Sequence, residues 1–248
     1  MSASEWVYGR RTVAEHLAAS PETCRELLVA REGSGPEEVL GAARDLGLPV
    51  RQVPRKLLDE LSGRGNHQGV CLEVGGWRYA ALEELMGRAR EPGRLPLIVA
   101  VDCVQDPRNL GAVLRVADGA GAAGVVLPKD RAAGLSAAVA RTASGALASV
   151  PVARVVNLAR ALDELTAEGF EAVAASDHGP EDLYAAVARF PCVVVLGGEH
   201  RGIRPNVLRR CSRAVSIPMA GQVSSLNVAV ACGVLLFEWR RQYRARTG

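Results

Sequence analysis

Three short stretches of the 248-residue chain carry side chains able to bind and to react. In "QDPRNLGAVLRVADGAGA" Asn109 offers an amide, and Arg115, six residues on, a guanidinium. In "GGEHRGIRP" (197–205) a glycine pair precedes Glu199, Arg201 and Arg204. In "MAGQVSSLNV" (219–228) Gly221, Ser224, Ser225 and Asn227 lie between a short extended run and an apolar helical one. Glycines at a strand end let backbone approach a ligand closely. Loop N–H groups and hydroxyls at a helix N-terminus are ready hydrogen-bond partners. Each residue also has a plain structural use. Asn109 or Ser224 can cap the helix that follows, Glu199 can be a surface acid, and Arg115 a surface arginine. The last is the weakest of these, because Val113, Leu114 and Val116 flank Arg115.

These stretches matter only if the fold brings them together. From Leu97 the pattern predicts alternating strands and helices. Strands are expected at 97–104, 123–128, 149–155, 170–177, 191–198 and 214–218. Helices are expected at 109–121, 134–145, 157–168, 180–188 and 225–242. The runs "LIVAV" and "CVVVL" are continuously apolar, as central parallel strands covered on both faces are. In such sheets ligands bind beyond the carboxyl ends of the strands, and each of the three stretches follows a predicted strand. Upstream, residues 1–75 form a small α/β unit, with helices at 10–20, 35–47 and 54–63 and strands at 24–30, 48–53 and 68–74. Residues 76–95, bounded by Gly and Pro and holding one charged helical pattern, are expected as a linker. The second domain is then 96–248.

Composition narrows the chemistry. The spacing G-G-x-x-x-G at 197–202 is not G-x-G-x-x-G, "DCVQDPRNLG" has no glycine-rich dinucleotide turn, and a P-loop Lys-Ser/Thr is missing. Six scattered cysteines form no C-x-x-C pair, and four histidines show no metal spacing, so no metal is expected. No apolar stretch has transmembrane length and the N-terminus has no signal-peptide pattern, so a reduced, cytoplasmic protein is expected. Net charge is +3, with 13 basic and 14 acidic side chains in residues 1–95 and 17 against 13 in 96–248. The basic excess clusters at 201–213 and 240–246. Alone it reads as solvated helix face; beside a site it reads as a surface for RNA backbone.

"NLGAVLR" (109–115), "LGGEHRG" (196–202) and "IPMAGQVSSLNVAVA" (217–231) resemble, in this order, the three motifs of the SpoU/TrmH family of RNA ribose 2'-O-methyltransferases. Residues 127–162, "VYGRRTVAEHL" (7–17) and "GNHQGV" (65–70) resemble the family's bacterial large-subunit rRNA guanosine methyltransferases. The resemblance implies a C-terminal parallel-sheet α/β domain with a deep trefoil knot (the SPOUT, or α/β-knot, fold) and a small N-terminal L30e-like RNA-binding domain. It implies S-adenosyl-L-methionine held by Leu196, Gly197, Gly198, Ile217, Met219 and Leu226. It implies Arg115 as the catalytic residue, assisted by Asn109, Glu199, Ser225 and Asn227. A guanidinium keeps its proton to about pH 12, so stabilising a developing alkoxide suits Arg115 at least as well as acting as a base. The resemblance further implies a homodimer acting on large-subunit rRNA, with Arg10, His67, Gln68, Arg201 and Arg204 on the RNA; for His67 and Gln68 a turn-and-strand role is the alternative. The competing functions are a tRNA ribose methyltransferase, a resistance methyltransferase acting on an antibiotic-binding rRNA loop, and a non-catalytic RNA-binding assembly factor.

Overall fold

The computed structural model describes residues 5–31, 37–75, 77–198 and 201–247. The chain divides into two compact units, Met1–Arg78 with Leu135–Ser149, and Tyr79–Gly134 with Val150–Gly248.

The first unit is a four-stranded sheet with helices. Its elements are β1 (Glu5–Tyr8), α1 (Arg10–Ala19), β2 (Cys24–Ala30), α2 (Glu37–Asp45), β3 (Val50–Val53), α3 (Arg55–Leu61) and β4 (Val70–Val74), with strand order β1-β4-β2-β3. β1 is not among the expected strands: four residues are too few to show a period, and antiparallel pairing with β4 makes the strand. Val7, Val13, Leu17, Leu27, Val39 and Leu72 form its core. The helix α6 (Ala137–Ala143) also belongs to this unit, although the sequence pattern places it in the second domain. Its small face buries Ala137, Val139, Ala140 and Ala143. The Glu5 carboxylate accepts from the Ala137 N–H, one of the donors a helix start leaves unsatisfied. Arg141 stacks 4.4 Å from the centre of the Tyr8 ring.

The second unit holds α4 (Leu82–Ala89), β5 (Leu97–Asp102), α5 (Pro107–Ala120), β6 (Gly124–Pro128), β7 (Val152–Val155), α7 (Leu158–Ala167), β8 (Glu171–Ala175), β9 (Glu181–Asp182), β10 (Cys192–Gly197), α8 (Pro205–Leu208), β11 (Arg213–Ser216) and α9 (Val228–Thr247). Its sheet has seven strands in the order β7-β6-β5-β10-β8-β11-β9, with every pairing parallel. All six residues of β5 are buried, which explains their unbroken apolar run. α4, inside the expected linker, packs on β5, β6 and β7 and buries Leu82, Leu85, Met86 and Ala89, so this stretch is part of a core.

The helix expected at 180–188 does not form. Glu181 and Asp182 instead add to the sheet edge beside β11. Groups from elsewhere in the fold satisfy the backbone beyond. Gln242 donates to the Ala186 carbonyl at 2.9 Å and accepts from the Ala188 N–H at 2.9 Å. Arg246 donates to the Ala188 carbonyl at 2.7 Å and Arg213 to that of Val187 at 2.7 Å. With these partners, no helical ladder is required.

Candidate functional site

Because the sheet is parallel, the segments leaving β5, β8, β10 and β11 emerge along one edge. Gly197 at the end of β10 lies in register with Asp102 at the end of β5. Asp102 is fully buried. It accepts from the Arg204 backbone N–H at 2.8 Å and from Nε at 2.8 Å, with the terminal guanidinium nitrogen 2.7 Å away. The Asp102 hydrogen bond raises the pKa of the Arg204 guanidinium further. Arg204, expected on RNA, is thus bound to a buried carboxylate and ties the loop after β10 to β5. The glycines make that closeness possible: a Cβ on Gly197 would strike the backbone of Gly202 and Ile203, and one on Gly198 the carbonyl of Cys103.

An inner cavity of about 460 Å³ opens beside this loop. Leu196, Gly197, Gly198, Ile217, Met219 and Leu226 all line it, and so does Ser225. The structure thus gathers residues from two motifs into one wall set. Ser176, Asp177 and His178, absent from the sequence expectations, line it too. They follow β8, so inspecting that strand's carboxyl end would have found them.

A second, outer cavity of about 800 Å³ is lined by Asp106, Asn109, Arg131, Gly198, Arg201 and Val228 among others. Gly198, Arg201 and Val228 line both cavities, so the two adjoin. Asp106, not Asn109, caps α5: its carboxylate accepts from the Arg108 N–H at 2.8 Å. Asn109 lies in the first turn and accepts at 3.0 Å from the side-chain amide of Asn227. Asn227, not Ser224, fills the capping role before α9, accepting from the Ala229 N–H at 2.9 Å. The last helix therefore begins at Val228, three residues later than its pattern suggests. Arg115 stands exposed on α5 and lines neither cavity. It makes no hydrogen bond or ion pair among the described residues. Glu199 lies outside the described residues.

In the first unit Arg10 and Gln68 are joined. The Gln68 side-chain oxygen accepts from the Arg10 backbone N–H at 2.9 Å, and the Gln68 backbone carbonyl accepts from Arg10 Nε at 3.2 Å. Both are exposed. His67 is buried, 2% exposed. Its Nδ1 accepts from the Gly69 N–H at 3.0 Å, which leaves Nε2 to donate to Asp59 at 3.0 Å. Both ring nitrogens serve the turn into β4, the alternative role given above.

Comparison with known proteins bears on this arrangement. The SpoU rRNA Methylase family matches residues 96–237. A domain described as RNA 2'-O ribose methyltransferase substrate binding matches 6–80. The chain is 40% identical to the 23S rRNA (guanosine-2'-O-)-methyltransferase RlmB of Pseudomonas aeruginosa, over 98% of each. It is 36% identical to the putative TrmH family tRNA/rRNA methyltransferase YacO of Bacillus subtilis, over 96% of each. Among solved structures, the SpoU methyltransferase AviRb of Streptomyces viridochromogenes in complex with AdoMet superposes with a TM-score of 0.81 at 25% identity, covering 98% of this chain and 91% of that one. The AdoMet-bound rRNA methyltransferase of Sinorhizobium meliloti gives 0.77 at 30% identity, covering 96% and 87%.

Proposed function

The chain belongs to the SpoU rRNA methylase family, and we propose on that premise that it methylates the 2'-hydroxyl of a guanosine ribose in large-subunit rRNA, using S-adenosylmethionine. The observation carrying this reading is the inner cavity, where residues expected from separate motifs to hold the cofactor line one space of about 460 Å³. That volume suits a cofactor-sized ligand. Its walls also suit the molecule chemically. Leu196, Ile217 and Leu226 offer apolar contact, Ser224 and Ser225 hydroxyls, and Asp177 a carboxylate that complements a cation. The glycine pair lets backbone close on the ligand.

S-adenosylmethionine supplies the electrophilic methyl, so the chain's task is to align the ribose hydroxyl and manage its proton. Asn109, which lines the outer cavity, is held by Asn227 from the start of α9 and is thereby fixed as a polar group of that wall. The motif resemblance assigns Arg115, exposed on α5 and outside both cavities, to stabilising the developing alkoxide, with the proton leaving through Glu199, a phosphate or water.

α9 threads the loop before it in the trefoil knot expected of this family, a rare topology among proteins. The chain acts as a homodimer. Val230 and Phe237, seven residues apart and so on one face of α9, are 52% and 50% exposed and suit burial against a second copy. No helix among the described residues is long and apolar enough to cross a membrane, and no group of three metal-ligating side chains occurs among them. All six cysteines are free, which fits work in the reducing cytoplasm.

The test is methyl transfer from labelled S-adenosylmethionine to unmodified large-subunit rRNA and, separately, to tRNA, with Arg115→Ala alongside. Label on an rRNA ribose that disappears in the variant is expected. Label on tRNA alone replaces the substrate assignment, and a chain that binds no cofactor is an RNA-binding factor instead.

A further inference from the structure

The basic residues near the site are not equivalent. Arg204 is bound to Asp102, Arg210 is paired with Asp163, and Arg213 with Glu171 and Glu181. Arg131 and Arg201 differ: both are exposed, both line the outer cavity, and neither has a hydrogen bond or ion pair among the described residues. Both also act electrostatically on Cys103 in the cavity wall. Burial and Asp102 push that thiol up, while Arg204, Arg131 and Arg201 draw it down. Asp102 lies behind the wall and is already paired with Arg204, whereas Arg131 and Arg201 stand on the wall itself. Among the described residues, the carboxylate lining this cavity is Asp106, which accepts from the Arg108 N–H at the start of α5.

Arg131 is placed with care. Its φ is 63°, in the left-handed region that a residue with a side chain rarely adopts. Such conformations persist where surrounding structure imposes them, and they gather at ligand sites. Here the loop is fastened on both sides of Arg131. The Lys129 N–H donates to the Val155 carbonyl at 2.7 Å, and Arg154 donates to the Lys129 carbonyl at 3.0 Å. Beyond it, the Ala133 N–H donates to the carbonyl of Val104, itself a cavity wall, at 2.8 Å. The tip thus has little freedom and projects a cation from a fixed backbone.

We propose that Arg131, with Arg201 across the outer cavity, grips a phosphodiester of the RNA strand next to the methylated ribose, and so positions that ribose against the inner cavity. The inference rests on the methyltransferase reading above and adds a subsite to it. A planar guanidinium can hold two phosphate oxygens at once, which an ammonium cannot. Two such groups on separate loops orient a strand as well as attract it.

The experiment compares wild type, Arg131→Ala and Arg131→Lys in steady-state methyl transfer to a transcript of unmodified large-subunit rRNA, at several salt concentrations. Binding of S-adenosylmethionine to each protein is measured by calorimetry. For Arg131→Ala the expected result is a KM for RNA raised roughly tenfold, with cofactor affinity unchanged. The slope of log affinity for RNA against log salt should fall by about 0.7 to 0.9, the effect of one phosphate contact. Arg131→Lys should restore the salt slope but not the whole KM. An Arg131→Ala protein matching wild type in KM and slope overturns the inference alone, as does one whose defect is in cofactor binding. A wild type that binds cofactor but methylates no ribose overturns the proposed function, and this subsite with it.

Discussion

Asn227 donates from its side-chain amide to the amide oxygen of Asn109 at 3.0 Å, joining two helix starts 118 residues apart in sequence. The same Asn227 accepts from the Ala229 N–H at 2.9 Å. One side chain therefore both caps the last helix and fixes its mouth against α5.

That double use separates two variants. Asn227→Ala should lose about 1 kcal/mol more than Asn109→Ala, since it alone removes a helix cap. A double-mutant cycle should return a coupling of about 0.5 to 1 kcal/mol for the shared hydrogen bond. Denaturant unfolding of the three variants measures both. A coupling indistinguishable from zero would mean that the shared hydrogen bond contributes nothing.

Arg115 is exposed and makes no hydrogen bond or ion pair among the described residues, so its removal should leave the fold intact. Arg115→Ala is expected to keep its Tm and its cofactor affinity while kcat falls about 10²- to 10³-fold, the usual cost of losing a group that stabilises developing charge. Arg115→Lys should recover only part of the rate, because a point charge does not reproduce the fork. A fall in Tm comparable to that of a core variant would show that Arg115 supports structure.

Arg204 and Arg201 should behave oppositely. Arg204→Ala leaves the fully buried Asp102 without its cation and is expected to cost about 3 to 5 kcal/mol. Arg201→Ala, at an exposed position, should stay within about 0.5 kcal/mol of wild type yet bind rRNA more weakly. Thermal unfolding and filter binding, run on both proteins, read the two effects apart.

Glu238 gives a pH dependence. The hydrogen bond from Arg241, aided by Gln242, holds its carboxyl at about 2 instead of its ordinary 4.5, against the opposing effect of burial. A lowered folded-state pKa stabilises the fold above pH 4.5, and that contribution is lost as pH falls toward 2. The Arg241 side chain is 67% exposed, so solvent screening keeps the effect small. The stability gap between wild type and Glu238→Gln should be full at pH 6 and should narrow steadily below pH 4.5. A gap that stays constant down to pH 2 would show that the charge of Glu238 does not matter.

Local pattern carried much of this protein. The unbroken apolar runs of β5 and β10 reveal central parallel strands because only burial on both faces tolerates such sequences. The glycine pair at 197–198 stands out because no larger residue meets its steric demands, and the loop before α9 because its small polar residues interrupt an apolar pattern. Placing each stretch after a strand sufficed to put all three on one edge of the sheet.

Tertiary structure decided the rest. Residues 180–188 have a helical pattern, yet Gln242 and Arg246, more than fifty positions away, satisfy their backbone and remove the need for a helix. Residues 135–149 join the first unit because Glu5 and Tyr8 meet them there. A guanidinium looks the same in sequence whether it binds RNA or a buried carboxylate. Only the position of Asp102 distinguishes Arg204 from Arg201 and Arg131, because charge pairing depends on distance in space and a sequence records only distance along the chain.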